Sequence, residues 1–555
     1  MNRNKSNSFV SNVMIVLSAQ IIVKILGIFY KMVITNINGF GDEGNGYYSA
    51  GFQVYTLLLS LSSVGIPNAI SKLISEKMTV SDYIGAKKLF KTAVLIFSFI
   101  GVILSGGLYF LSAPIAKYIL NMEGAKYTLA ALSPSVFFVC VSSVIRGYFS
   151  GINKMQIMGL SQIIEQFFKS VLTILFVIIS VGSSAEYMSA YANFATTAAT
   201  VFGTLYLCYA YKFKNNRQIT DIDSNIKSDF VYISKQILAI AVPISVCSVI
   251  SAINRIVDTA TITRGIENAF RDCIPAHIGS AAITNPSPTQ LNAEAVRLSG
   301  MLSKSDTLIN LPLALNVALA TVLVPSVSKY NAEKNMIMIR KYVNSSLLTS
   351  VVLILPCITG YIILAGPIYS LLYPNAPLGF ELLQISAVSL AFTALNQTLT
   401  GVLQGMGVVH VPALALAAGC VVKLILNIAL ISIRSINIYG AAIGSVFCQI
   451  TIFIIELYYL SKGITGKIYI RKMFAKPFAC CVIMGAGAYI IYNTIYRISG
   501  SNFASVVASV FLSAVVYGME IILLKVFSYD ELSKMPILKK LCKFLPKDIY
   551  ETKNI

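Results

Sequence analysis

The run FVSNVMIVLSAQIIVKILGIFYKMVI, from Phe9 to Ile34, is apolar throughout except for a few amides and hydroxyls and two charges, Lys24 and Lys31. It exceeds the ~20 helical residues needed to cross a hydrocarbon layer about 30 Å thick. A backbone in lipid has to satisfy its own N–H and C=O groups, so the run reads as a membrane helix. It is too long for the apolar region of a signal peptide and is expected to be retained. Similar runs recur near 48–70, 92–112, 128–146, 159–183, 187–211, 236–262, 302–328, 343–372, 381–403, 411–433, 438–461, 474–495 and 502–526. The composition agrees: 555 residues are 56% hydrophobic and 12% charged, with a mean hydropathy of +0.74, outside the range of soluble domains. The expected fold class is an all-α polytopic membrane protein with 14 transmembrane helices.

A net charge of +20 raises the possibility of a nucleic-acid partner, so the placement of the charge matters more than its sign. With a cytoplasmic N-terminus, the inner loops and both termini hold thirty of the 43 Lys and Arg, and the outer loops hold seven. That asymmetry is the positive-inside pattern. It assigns the basic character to topology and to anionic phospholipid rather than to nucleic acid. The chain is therefore expected in a cell membrane, multi-pass, with both termini cytoplasmic.

Shifted by 254 residues, Arg146-Gly147-Tyr148-Phe149-Ser150-Gly151 falls over Thr400-Gly401-Val402-Leu403-Gln404-Gly405, and Lys169 falls over Lys423. A second echo pairs Gly65 to Lys72, at the end of span 2, with Val324 to Lys329, at the end of span 8. Six spans separate the partners, so both halves insert with the same polarity, and parallel repeats of this kind place a substrate site between lobes. The reading is two six-helix lobes related by a pseudo-twofold, plus a trailing pair. The boundaries are an N-terminal lobe 1–211, a cytoplasmic linker 212–235, a C-terminal lobe 236–461, the pair in 462–527 and a basic cytoplasmic tail 528–555.

Polar side chains interrupt the apolar spans with helical spacing. In span 1, Gln20, Lys24, Gly27 and Lys31 share one face. Lys24 lies about 21 Å from the inner end at 1.5 Å per residue, too deep for its ammonium to reach the interface easily. A cation there costs on the order of 2.5–3.5 kcal/mol, which favours a water-filled or ligand-filled cavity over lipid contact. Span 7 carries Ser251, Asn254, Arg255 and Asp258 at the same spacing; span 8 adds Asp306 and Asn310, and span 11 adds Lys423 and Asn427. In span 5 the series is Gln162, Glu165, Gln166 and Lys169, where Glu165 can pair with Lys169 at i, i+4. For spans 5 and 11 a structural polar network and a ligand site both fit; spans 1 and 7 read as functional, with Lys24, Lys31 and Arg255 as substrate-binding cations.

Other signals carry less. Gly39, Gly41 and Gly44 spell G-x-G-x-x-G but stand between membrane spans, so they form a turn and not a nucleotide loop. Eight of the ten cysteines fall in or at the ends of apolar runs without metal-ligand spacing and read as small core side chains. His277 and His410 lie in loops and no paired acids mark a hydrolytic site, so neither catalysis nor a cofactor is expected.

The segments Gly65-Ile66-Pro67-Asn68-Ala69-Ile70-Ser71-Lys72-Leu73-Ile74-Ser75-Glu76, Arg146 to Gly151, Ser161-Gln162-Ile163-Ile164-Glu165-Gln166 and Leu308-Ile309-Asn310-Leu311-Pro312-Leu313-Ala314-Leu315 resemble a known family. It is the stage V sporulation protein B and polysaccharide-biosynthesis group of the multidrug/oligosaccharidyl-lipid/polysaccharide (MOP) exporter superfamily. The resemblance spans nearly the whole chain and implies a relative of MurJ-type lipid II flippases, with fourteen helices, alternating access and a lipid-tail groove from the extra pair. On that pattern Lys24, before Ile25-Leu26-Gly27, matches a basic residue of the flippases' first helix, and Lys31 matches a second with a one-position displacement. Their acid at the start of helix 2 meets Asn45 or Gly46, with Asp42 and Glu43 nearby; Arg255 stands for their second-lobe arginine.

The leading expectation is outward flipping of an undecaprenyl-pyrophosphate-linked peptidoglycan precursor by a monomer that works beside cell-wall synthesis proteins. A multidrug antiporter of the same fold is the second, although a cation exporter should carry carboxylates where Lys24 and Lys31 stand. A membrane glycosyltransferase is the third, with Glu267, Asp272 and Glu294 of loop 263–301 as the available acids. Because the membrane cysteines read as packing residues, Cys→Ser changes at Cys140, Cys357 and Cys448 should leave expression and transport near wild type. A requirement for any disulfide in either assay would contradict this reading.

Overall fold

The computed structural model describes residues 2–63, 65–214, 226–276, 281–464 and 470–527. The helices are α1 (Asn2–Thr35), α2 (Gly41–Ser63), α3 (Gly65–Thr79), α4 (Tyr83–Phe110), a single turn α5 (Ser112–Pro114) that runs into a π-helical turn at Ile115–Ile119, and α6 (Ala125–Gly151). They continue as α7 (Met155–Ile179), α8 (Ala185–Lys214), α9 (Ile226–Ala269), α10 (Pro288–Ala332), α11 (Met336–Leu372), α12 (Phe380–Gly405), α13 (His410–Ile431), α14 (Tyr439–Gly463), α15 (Ile470–Ser499) and α16 (Asn502–Leu523). Between α9 and α10 a small hairpin pairs β1 (Cys273–Ile274) antiparallel with β2 (Ile283–Thr284).

Each expected span coincides with helix to within about four residues at its ends, span 2 with α2 and α3 in succession. Eleven helical stretches among the described residues are long and apolar enough to cross a membrane, and α8, which is not one of them, is richer in small polar residues. In α8 the polar content serves packing: Thr197 and Thr204 donate to the carbonyls of Ala131 (2.6 Å) and Phe138 (3.3 Å) on α6. Interhelical hydrogen bonds of this kind replace the hydrophobic drive that lipid does not supply. Large side chains are turned outward on α4, where Leu95, Phe99, Val102 and Ile103 are all more than half exposed, as a lipid-facing surface requires.

Two expected loops are shorter than the apolar runs implied. Asp42, Glu43, Asn45 and Gly46 belong to the start of α2, where Asp42 and Glu43 complement the helix dipole. Gly39 (φ +86°) and Gly41 (φ +48°) make the turn that leads into it. The outer loop 263–301 contracts to the residues between Ala269 and Pro288, because α9 and α10 extend past the apolar segment. Glu294 is thereby placed on α10, where it accepts from Arg297 at 2.6 and 2.8 Å. The basic tail 528–555 and part of the linker 212–235 lie outside the described residues.

By packing, the chain divides into one unit of Met1–Ala314 with Leu416–Cys448 and a second of Leu315–Ala415 with Gln449–Ile555. The core of the first joins α2, α3, α4, α6 and α8 through Tyr55, Ile70, Phe90, Leu129, Phe149 and Leu207. The core of the second joins α10, α11, α12 and α14 through Val327, Val343, Leu347, Leu399, Val402 and Leu460. Tyr517 of α16 donates to Val352 O at 2.9 Å and packs with Cys480, Cys481 and Met484 of α15.

The sequence echo is a packing motif. In the first unit Gly147 and Gly151 lie against α3: a Cβ on Gly147 would stand 2.9 Å from Pro67 O, and one on Gly151 2.9 Å from Ser71 O. In the second unit Gly401 and Gly405 face α10, with corresponding distances of 3.3 Å to Ala320 O and 2.9 Å to Val324 O. Each unit thus closes one helix pair through a G-x-x-x-G face, which lets two backbones approach. The tightest contact of this type is elsewhere: a Cβ on Gly300 of α10 would fall 1.7 Å from Asp42 O on α2.

Gly300→Ala therefore has to push α10 off α2, at a cost of about 1–3 kcal/mol, the range for overpacked cores. The change should lower the melting temperature of purified protein. Gly106→Ala on α4, where a Cβ meets nothing within 4 Å, should leave it unchanged.

Candidate functional site

The polar residues singled out on α1, α7, α9, α10 and α13 all belong to the first unit. Lys24 of α1 and Arg255 of α9 are exposed to solvent, as is Asp306 of α10, yet each is surrounded closely enough by protein to be strongly desolvated. No hydrogen bond or ion pair engages Lys24 or Arg255 among the described residues, and the charged groups that act on Lys24 are Arg255 and Lys169, both cations. The carboxylate of Asp306 likewise has no ion pair within 4 Å, and lies within electrostatic reach of Asp258, Lys423, Lys31 and Arg255. Gln20 is exposed on the same helix as Lys24, and Asn310, exposed one turn beyond Asp306, donates to its backbone oxygen at 2.7 Å.

The remaining cations are engaged. Lys31 spends its three N–H donors on α10: 3.2 Å to Ser303 O, 2.7 Å to Ser303 Oγ and 2.8 Å to Thr307 Oγ1. Lys423 of α13 donates to Asp258 Oδ2 of α9 at 2.5 Å and to Asn254 O at 3.3 Å. Asn427 completes that network, donating to Asp258 Oδ1 (3.1 Å) and Thr261 Oγ1 (3.0 Å), while Asn254 Nδ2 approaches Cys448 Sγ at 3.6 Å.

The pairing of Glu165 with Lys169 that the i, i+4 spacing allows is not made. Arg146 at the end of α6 donates from Nη2 to Glu165 Oε2 at 2.6 Å and from Nε to Ser161 Oγ at 3.1 Å. The planar guanidinium meets two acceptors one turn apart on α7, a geometry that a lysine cannot reproduce. Lys169 instead lies over the rings of Phe52 (4.2 Å) and Tyr30 (5.7 Å), buried, with its charge held by cation–π contact.

One pair escaped the reading of spans altogether. Lys304 of α10, completely buried, meets Asp42 Oδ1 of α2 at 2.6 Å. Asp42 appeared to belong to a loop, and the signal that could have found it was an acid at a helix start opposite a lysine inside a polar span. The cations described so far within the helices of the first unit thus divide into those fixed by partners, Lys31, Lys304, Lys423 and Arg146, and a group of Lys24, Arg255 and Lys169 with no carboxylate bonded to it among the described residues. Two of these reach water, an arrangement that attracts an anion of more than one charge.

Removing one partner of the buried Lys423–Asp258 pair strands the other. Asp258→Ala should cost about 3–5 kcal/mol in a thermal or denaturant melt. Asp258→Leu combined with Lys423→Met should recover most of it, which a free, purely ligand-binding Asp258 would not produce.

The chain matches the polysaccharide biosynthesis protein family over residues 9–331 and the MatE family over 300–429. It is 24% identical over 543 residues to stage V sporulation protein B of Bacillus subtilis (strain 168), covering 96% of this chain and 99% of that one. Lipid II flippase MurJ of the same organism is 25% identical over 449 residues, 76% of this chain and 78% of its own. Among solved structures, lipid II flippase MurJ in an inward closed conformation superposes with a TM-score of 0.66 at 17% identity, covering 91% of this chain and 98% of the other. The match over residues 9–331 takes in more than half the sequence and the helices that carry Lys24, Lys169, Arg255 and Asp306: the chain belongs to the polysaccharide biosynthesis protein family.

Proposed function

We propose that the protein flips an undecaprenyl-pyrophosphate-linked glycan, lipid II or a related lipid-linked oligosaccharide, from the inner to the outer leaflet by alternating access between an N-terminal and a C-terminal lobe. The observation that carries this reading is the water-accessible pair Lys24 and Arg255, with Lys169 behind them and no carboxylate acting on Lys24. A pyrophosphate supplies the negative charge that this group lacks, and the guanidinium of Arg255 suits bidentate phosphate contact. Similarity to lipid II flippase MurJ supports a lipid-linked glycan as cargo. The protein works on this reading as a monomer in a bacterial cytoplasmic membrane, both termini inside, next to the enzymes that make and use its cargo.

A cation-coupled multidrug antiporter is the second reading, favoured by the MatE match. It would need a free carboxylate as its cation site, and Asp258 is occupied by Lys423, which leaves Asp306 among the acids beside Lys24 and Arg255. The glycosyltransferase reading loses two of its three acids to local contacts, Glu294 with Arg297 and Glu267 with Asn121 at 2.9 Å.

Energy for flipping comes from outside the chain on this reading. Moving an anionic headgroup out of a negative-inside cell is worth about 2.3 kcal/mol per charge per 100 mV. In proteoliposomes, Lys24→Ala and Arg255→Ala should each reduce flipping of a fluorescent polyprenyl-pyrophosphate glycan at least tenfold, with unchanged melting temperature. Full activity in both variants would remove the anion-site assignment. Extrusion of a cationic dye that depends on Asp306, with no flipping, would establish the antiporter instead.

A further inference from the structure

The second unit contains an acid that the flipping scheme leaves unused. Glu456 of α14 has no exposed surface. Its Oε1 accepts from Thr400 Oγ1 of α12 at 2.7 Å, and its Oε2 has no hydrogen-bond partner among the described residues. Apolar groups make up the surroundings: Leu399, Val402, Leu403 and Leu460 share the core cluster there, and the Phe392 and Phe453 rings meet at 5.8 Å. From α12 the polar group facing the carboxyl is Thr400. On α14 the nearest cation in sequence, Lys462, is exposed and lies over the Tyr458 ring at 4.6 Å. No charged or other titratable side chain among the described residues acts on Glu456.

The internal repeat gives this arrangement a reference. Thr400 is the residue that falls over Arg146 in the 254-residue shift. In the first unit that position supplies a guanidinium to Glu165 at 2.6 Å. In the second it supplies a neutral hydroxyl to Glu456. One acid has a permanent counter-charge and the other has none. A carboxylate sealed in an apolar core with one neutral donor is too costly to keep ionised, and such groups neutralise by taking a proton.

We propose that Glu456 is a proton-binding site. The carboxyl carries a proton on Oε2 while α12 and α14 pack as they do here, and gives it to water when the two helices part. Asn396 of α12, which donates to both Gln449 O and Gln449 Oε1 of α14 at 2.9 Å, holds the same helix pair together two turns away. Opening of this pair is thereby linked to proton release, a second source of free energy besides the membrane potential. The proton site does not depend on the identity of the cargo.

Infrared difference spectroscopy on the full-length protein in lipid nanodiscs tests this directly. At neutral pH the wild type should show the carbonyl stretch of a protonated carboxylic acid that Glu456→Gln lacks. Thr400→Val, which retains the acid and loses its one donor, should move that band to higher frequency. Superimposable spectra of wild type and Glu456→Gln at all pH values would overturn the proposal, as would loss of the band on adding sodium at constant pH, which would mean a metal cation there. In the flipping assay, Glu456→Gln should keep its basal rate and lose the response to an imposed pH gradient; an undiminished response would refute the link to proton movement.

Discussion

A charge inside hydrocarbon has to be paired, wetted or neutralised, and the arrangement of this molecule follows from how each buried charge meets that demand. Three ion pairs cross between helices of the first unit: Lys304 with Asp42, Lys423 with Asp258 and Arg146 with Glu165. The first two join helices distant in sequence and the third joins the neighbours α6 and α7, so each constrains packing as well as charge. A buried pair is weak as net stabilisation but costly to break, which makes it a device for specifying one packing over its alternatives.

Helix association in the same setting gets little help from the hydrophobic effect, since lipid tails are as apolar as leucine. Close approach of backbones takes over part of that role. Gly147 and Gly151 against α3, and Gly401 and Gly405 against α10, give both units the same kind of contact from matching positions of the repeat. What survives between two halves with little identity is the set of residues that packing cannot exchange. Arg146 and Thr400 flank those glycines and differ: the first gives a guanidinium to Glu165 and the second a neutral hydroxyl to Glu456.

Once the paired cations are accounted for, the site is defined by what remains. Lys31 looks equivalent to Lys24 along the face of α1, yet its three donors are absorbed by Ser303 and Thr307. Lys24, two turns away, meets only like charge. Two cations on one helix face therefore have different chemistry, and the difference lies wholly in the neighbouring helix. Asp306 acts electrostatically on Arg255 and Lys31 without an ion pair to either, so the proposed anion site has a carboxylate able to compete for its cations.

Hydropathy and helical period are local properties, and what depends on them was readable in the chain alone: the spans, the polar face of α1, the spacing on α7 and α9, and the repeat. Helix ends were less readable, because α2, α9 and α10 run past their apolar segments into polar residues such as Asp42 and Glu294. Partnership was not readable. The i, i+4 rule allowed Glu165 to pair with Lys169, but an arginine on α6 took the acid and two aromatic rings took the lysine. Sequence spacing reports which residues share a face of one helix, whereas the strength of a charge–charge contact depends on distance to side chains on other helices. The sequence by itself determined that cations would lie within the membrane; only the tertiary structure decided which of them are held by a partner and which remain free for an anion.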